Sequence, residues 1–134
     1  MPRYMLDTDV CSFVMKRRHP PLLRRLGELQ TADVCASVVT KAELLYGVAV
    51  SPNPERDGAA LQALLRHLGI VDLDEDTAAF YAEIRADLKK RGALIGANDL
   101  FIAAHARRLG LVLVTANVRE FSRVDGLSIE NWTD

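Results

Sequence analysis

Short apolar runs that stop at polar residues alternate, along this chain, with stretches whose apolar positions recur every three or four residues. The first run, Tyr4-Met5-Leu6, ends at Asp7-Thr8-Asp9 and reads as a buried strand. Residues 9–18 read as a helix with Thr8 or Asp9 as N-cap, broken by His19-Pro20-Pro21. A second helix starts near Pro21, where proline is tolerated in a first turn, and Leu22, Leu26 and Leu29 form its apolar stripe. Thr31 to Asp33 makes a turn, and Val34 to Val39 reads as a second buried strand. Thr40-Lys41-Ala42-Glu43 has capping-box spacing and predicts a helix to about Val50, with Leu44, Leu45 and Val48 on one face.

Ser51-Pro52-Asn53-Pro54 signals a loop. Leu61, Leu64, Leu65 and Leu68 then give an amphipathic helix stopped by Gly69. Ile70 to Leu73 predicts a short strand. Asp74 to Asp76 opens a helix whose inner face is Phe80, Ile84 and Leu88, closed by Lys89-Lys90-Arg91-Gly92. Gly96 to Asp99 introduces a helix that runs through Leu109 to Gly110. Leu111 to Val114 predicts a strand ending at Thr115-Ala116-Asn117, and Leu127 to Trp132 a short edge strand. Strands alternating with helices imply βαβ units, a mainly parallel sheet covered on both faces, and a three-layer α/β/α sandwich. Right-handed crossovers put the carboxyl ends of the strands along one edge, where such sheets bind their ligands.

Composition narrows this to a globular chain of one domain, residues 1–134, with 49% hydrophobic and 26% charged residues. With only 6% aromatic residues, Leu, Val, Ile and Ala must build the core. No apolar run approaches the ~20 residues of a membrane span, and a signal peptide's apolar region is missing at the start. Cys11 and Cys35 are too few for a disulfide scaffold or a four-ligand zinc site and are expected to be reduced core residues of a cytoplasmic protein. Net charge is −1, but basic clusters recur at 16–19, 24–25, 89–91, 107–108 and 119–123. Each reads by itself as a solvated helix face; several on one face would suit a polyanion.

Four acids follow apolar strands or open helices: Asp7, Glu43, Asp99 and Glu120. Each has a structural explanation. Asp7 and Asp9 could cap a helix, Glu43 could close the Thr40 box, Asp99 could favour its helix dipole, and Glu120 could be a loop acid. Asp99 lies three and four residues before Ile102 and Ala103, so it points with its helix's apolar face toward the sheet. Carboxylates meeting at one sheet edge repel, each raising its neighbours' pKa, unless a cation neutralises them. Oxygen-only ligands favour Mg²⁺ or Mn²⁺ over zinc, and carboxylate-held Mg²⁺ suits metal-assisted phosphodiester hydrolysis.

Leu6-Asp7-Thr8-Asp9, Ser37 with Thr40-Lys41-Ala42-Glu43-Leu44, Gly96-Ala97-Asn98-Asp99, and Val114 through Phe121 stand in this order along the chain. This series resembles the motifs of PIN-domain ribonucleases, and within them is most similar to VapC-type toxins of toxin–antitoxin modules. The resemblance covers essentially the whole chain. It implies that Asp7, Glu43 and Asp99 hold one or two Mg²⁺ ions, Mn²⁺ being an alternative, and carry catalysis with Glu120. Many relatives have Asp at the position of Asn117 or of Glu120, so here either Glu120 reaches the metal through water or Asn117 orients a ligand. Thr8 and Thr115 are implied as hydroxyl partners, and Asp9 as a supporting or capping residue. The implied substrate is a single-stranded loop of tRNA or rRNA. The implied partners are a VapB-type antitoxin and a second copy of the chain, with Leu22–Leu29 and Leu61–Leu68 as candidate dimer faces or, equally, ordinary core.

Competing chemistries fit the residues less well. Asp7-Thr8-Asp9 is similar to the paired aspartates of haloacid-dehalogenase phosphatases, but Cys11 stands where that motif has Thr or Val. A receiver domain needs a Lys at a late strand end, where this chain has Thr115. A PIN fold that binds RNA without cutting usually lacks one of the acids present here. Ser37 has no Gly-x-Ser-x-Gly elbow, and His19, His67 and His105 lack zinc-site spacing. His105, six residues after Asp99, is expected at the surface or in packing, off the acid's face.

Overall fold

The computed structural model describes residues 2–134. Five strands form one parallel sheet in the order β3-β2-β1-β4-β5: β1 (Tyr4–Leu6), β2 (Val34–Ser37), β3 (Gly69–Val71), β4 (Val112–Val114) and β5 (Ile129–Glu130). Seven helices connect them: α1 (Thr8–Met15), α2 (Pro20–Gly27), α3 (Val38–Ala49), α4 (Pro54–Leu65), α5 (Thr77–Lys90), α6 (Ala97–Leu109) and α7 (Val118–Phe121). The two-residue period of β1 sorts its side chains between two cores. Met5 packs with Leu113, Ile84, Leu88, Ile102 and Phe121 of the α5–α6 side. Tyr4 and Leu6 pack on the other side with Val10, Leu22, Leu44, Leu61 and Leu64 of α1 to α4. This is the three-layer α/β/α sandwich the alternation predicted.

Strand order reverses at β1, with β2 and β3 on one side and β4 and β5 on the other. The crevice of such a sheet lies at that switch, outside the carboxyl ends of β1 and β4. Asp7 and Thr115 are the residues that immediately follow those two ends. Asp7 N–H donates to the Val114 carbonyl at 3.0 Å, and Thr115 N–H to the Glu130 carbonyl at 3.0 Å. The backbone therefore pins both residues to the sheet edge.

Several boundaries differ from the sequence expectation for one reason: a short polar side chain captures a helix N-terminus earlier than periodicity shows. Asp7, not Thr8 or Asp9, caps α1, its Oδ1 accepting from Val10 N at 2.8 Å. The second strand ends at Ser37 rather than Val39, because the Ser37 hydroxyl accepts from Val39 N at 3.1 Å and starts α3. Thr40 is thus inside the first turn and no capping box forms with Glu43. Asn53 caps α4 through Arg56 N, and Pro54 occupies its first turn, so that helix begins well before Leu61. The α6 prediction holds from Ala97 to Leu109, closed by Gly110 at φ 67.

The two leucine stripes are core. Leu22, Leu61, Leu64 and Leu68 are buried together and Leu26, Leu29 and Leu65 pack against them, so neither stripe is a free dimer face. The large apolar side chains left exposed include Leu45 and Tyr46 of α3 and Val50 just beyond its end. His105 is also buried, at 1% exposure, and not at the surface. Cys11 and Cys35 are buried free thiols, and burial pushes both pKa values up, that of Cys35 to about 11. Among the described residues no helix is long and apolar enough to cross a membrane.

Candidate metal centre

Four elements bring acids to the switch point. Asp7 stands between β1 and α1, Glu43 in the second turn of α3, Asp99 in the first turn of α6, and Glu120 in α7. Their mutual repulsion reports their proximity. Glu43, Glu120 and Asp9 all push the pKa of Asp99 upward, and Asp9 and Asp99 push that of Asp7. Asp99 therefore faces the three other acids that the sequence assigned to the site, together with Asp9.

Asp7 is 3% exposed and its carboxyl is pushed up to about 6, mainly by burial. Hydrogen bonds from the Thr115 hydroxyl and Val10 N–H oppose that rise, because both favour the ionised form. Asp99 is half-buried and is likewise pushed up to about 6, first by burial and then by its neighbours' charge. None of Asp7, Asp9, Glu43, Asp99 or Glu120 takes part in an ion pair among the described residues. The negative charge is left uncompensated by protein.

Hydroxyls hold the carboxylates in place. Thr8 Oγ1 donates to Glu43 Oε1 at 2.6 Å and shares a hydrogen bond with the fully buried Thr40 Oγ1 at 3.1 Å. Thr115 Oγ1 bonds Asp7 and also accepts from Asn117 N at 2.9 Å, so one hydroxyl orders the acid and the turn into α7. Asn117 occupies the N-cap position of α7 without a side-chain capping bond. Asp9 is exposed in the first turn of α1 and acts on the site through charge, not as the cap.

An oxygen-only donor set, two carboxyls raised toward neutrality, and no basic partner fit a hard divalent cation. Among the described residues no three acids converge closely enough to coordinate one ion. Thr8 and Thr115 are where the sequence placed them. Thr40 was missed as a supporting hydroxyl, because its spacing to Glu43 mimics a capping box.

The basic clusters do not share one face. Lys16 to Arg18 follow the far end of α1, eight residues and about 12 Å along the axis from Asp7. Arg107 is bound to Glu83, and Arg108 to Asp74 and Asp76. These contacts, with Tyr81 stacked on Phe101, make α5 antiparallel to α6. That direction carries Lys89 and Lys90 to the Asp99 end of α6.

Comparison with known proteins accounts for the arrangement. A family model described as PIN domain matches residues 4–127. Ribonuclease VapC2 of Haemophilus influenzae is 46% identical over 132 residues, covering 98% of this chain and 99% of that protein. The tRNA(fMet)-specific endonuclease VapC of Shigella flexneri is 40% identical over 133 residues, covering 99% and 100%. The crystal structure of DNA-bound VapBC from Salmonella typhimurium superposes with a TM-score of 0.92 at 39% identity, covering 98% of this chain and 99% of that one.

Proposed function

Because the chain belongs to the PIN-domain family, among its VapC-type endoribonucleases, we propose that it is the toxin of a toxin–antitoxin pair and cleaves structured RNA with Mg²⁺ held by Asp7, Glu43 and Asp99. The observation that supports this most is the uncompensated acid cluster at the sheet switch point, in which two carboxyls are pushed up to about 6. Bound there, Mg²⁺ would polarise a phosphate oxygen and lower the pKa of an attacking water; Mn²⁺ has the same ligand preference. The chain's own groups do the rest. Thr8 bonds the Glu43 carboxylate and Thr115 bonds Asp7, so each acid is oriented by a neighbouring hydroxyl. Glu120, whose charge raises the pKa of Asp99, would hold the proton of the attacking water, and Asn117 would orient a bound group.

The substrate we propose is a tRNA loop, in line with the tRNA-directed name of the Shigella relative. Unstacked loop nucleotides can bend into a sheet-edge cleft that duplex RNA cannot enter. The partner is a VapB-type antitoxin, since the Salmonella neighbour is a VapBC complex. A homodimer built through helices would use the exposed Leu45 and Tyr46 of α3 and Val50 just beyond its end, given that both leucine stripes are core. The phosphatase reading and the non-cutting reading gain no support: the match is to a ribonuclease family, and Asp7, Glu43 and Asp99 are all present in the chain.

The direct test incubates purified protein with bulk tRNA, with and without Mg²⁺, alongside Asp99→Asn. Fragments are expected only for the unaltered protein with Mg²⁺, and the variant is expected to be slower by about 100-fold or more, since even partners outside the ligand shell are worth about 10–100-fold. Equal cleavage by the variant would overturn the site assignment.

A further inference from the structure

Ser37 and His105 are each at most 1% exposed, and Ser37 Oγ lies 2.8 Å from His105 Nδ1. Among the described residues this is the one fully buried hydrogen bond between two side chains. Its polar atoms are all accounted for. Ser37 Oγ accepts from Val39 N at 3.1 Å, and the His105 ring also bonds the Asp72 backbone. The Ser37 hydroxyl and His105 Nδ1 share this bond, each able to serve as donor or acceptor according to the ring tautomer. Burial disfavours a charged ring here, which agrees with a neutral imidazole.

The position of this bond is what matters. Ser37 caps α3 and Glu43 follows it by six residues; His105 is on α6 and Asp99 precedes it by six residues. α3 and α6 pack against each other, and at equal six-residue steps from the Ser37–His105 pair they carry Glu43 and Asp99, whose charges repel, so two cross-links join the helices. One is the attractive Ser37–His105 bond. The other, about 9 Å further along both axes, is the repulsive Glu43–Asp99 pair. Repulsion between the acids drives the helices apart, and the buried bond opposes it in a low-dielectric setting where no water competes.

We propose that the Ser37–His105 hydrogen bond is a positioning strut that sets the separation of α3 and α6, and with it the spacing of Glu43 and Asp99 as metal ligands. This rests on the assignment of those acids as ligands. Neither strut residue touches the metal or the RNA. Losing the strut should weaken metal binding while leaving the chemistry of a filled site nearly intact.

The test is Mn²⁺ binding to the purified protein, followed by electron paramagnetic resonance, for Ser37→Gly, Ser37→Thr, His105→Phe and the Ser37→Gly/His105→Phe pair. Glycine removes the hydroxyl but remains an acceptable N-cap, and threonine keeps both cap and hydroxyl. The expected result is a Mn²⁺ dissociation constant about 10-fold higher for Ser37→Gly and for His105→Phe, the scale of a lost outer-shell contact. The double variant should lose no more than either single one, Ser37→Thr should bind nearly as the unaltered protein, and cleavage at saturating Mn²⁺ should stay within about threefold. Losses that multiply in the double variant, or unchanged affinity in folded single variants, would overturn the strut. Asp99→Asn in the same titration separates the two ideas. If it too binds Mn²⁺ normally, the ligand assignment itself fails; if it loses Mn²⁺ while the strut variants do not, only the strut fails.

Discussion

Replacing Asp7 by asparagine is expected to abolish RNA cleavage and, at the same time, to make the metal-free protein more stable at neutral pH. Most substitutions in a buried site destabilise, so this pairing is diagnostic. Asp7 is 3% exposed, and its pKa rises from 3.8 to about 6 on folding. A carboxyl raised on folding contributes stability that is fully present below its unfolded pKa and is lost as pH climbs through the folded one. Without metal, stability should therefore fall between about pH 4 and pH 6, by on the order of 2–3 kcal/mol. Asparagine has no charge to desolvate and caps a helix as well as aspartate, so the Val10 bond survives. Urea unfolding in chelator at pH 4 and pH 7.5 checks this. The variant should be the more stable protein at pH 7.5 and should show little dependence on pH through this group. Adding Mg²⁺ should stabilise the unaltered protein and not the variant, because only a bound state gains from mass action.

The second large effect is structural. Phe121→Ala is expected to destabilise the protein by about 3–5 kcal/mol, the cost of a cavity left by a buried aromatic ring. Phe121 is 1% exposed in the core shared by Met5, Leu113 and Val124, and it anchors the four-residue α7 that carries Glu120. A helix that short has little stability of its own, so its place depends on that ring. Denaturant unfolding in chelator checks the value; a loss under about 1 kcal/mol would mean that α7 is not held through Phe121.

The fold was legible in the sequence wherever one pattern dominated. The run Tyr4-Met5-Leu6 gave β1, because burial on two faces leaves apolar residues at every strand position, and Gly96 and Gly110 gave both ends of α6. Ser37, Thr40 and Glu43 were harder to read. The spacing of Thr40 and Glu43 satisfies a capping box, yet a hydroxyl three residues earlier captured the helix N-terminus first. Released from that role, Thr40 and Thr8 order Glu43 instead. Asp7 does cap α1 through Oδ1, and capping occupies only one of its two carboxylate oxygens, so the cap and the proposed ligand role do not exclude each other.

His105 lay out of reach of sequence reasoning. Its partner is 68 residues away and its burial depends on how α6 lies across the sheet, which no local period encodes. The choice between dimer face and core stayed open in the sequence for a related reason. Leu22–Leu29 and Leu61–Leu68 show the stripe of an amphipathic helix, and that stripe is the same whether it meets a core or a partner. Only the packing of α2 and α4 against β1 and β2 decided for core.

A Mn²⁺-soaked crystal, examined by anomalous diffraction, tests the central claim most directly. The expected result is a strong anomalous peak in the cleft outside the carboxyl ends of β1 and β4, within ligand distance of Asp7, Glu43 and Asp99, and absent from an Asp7→Asn crystal treated alike. A peak elsewhere, or none at Mn²⁺ concentrations that support cleavage, would contradict the account.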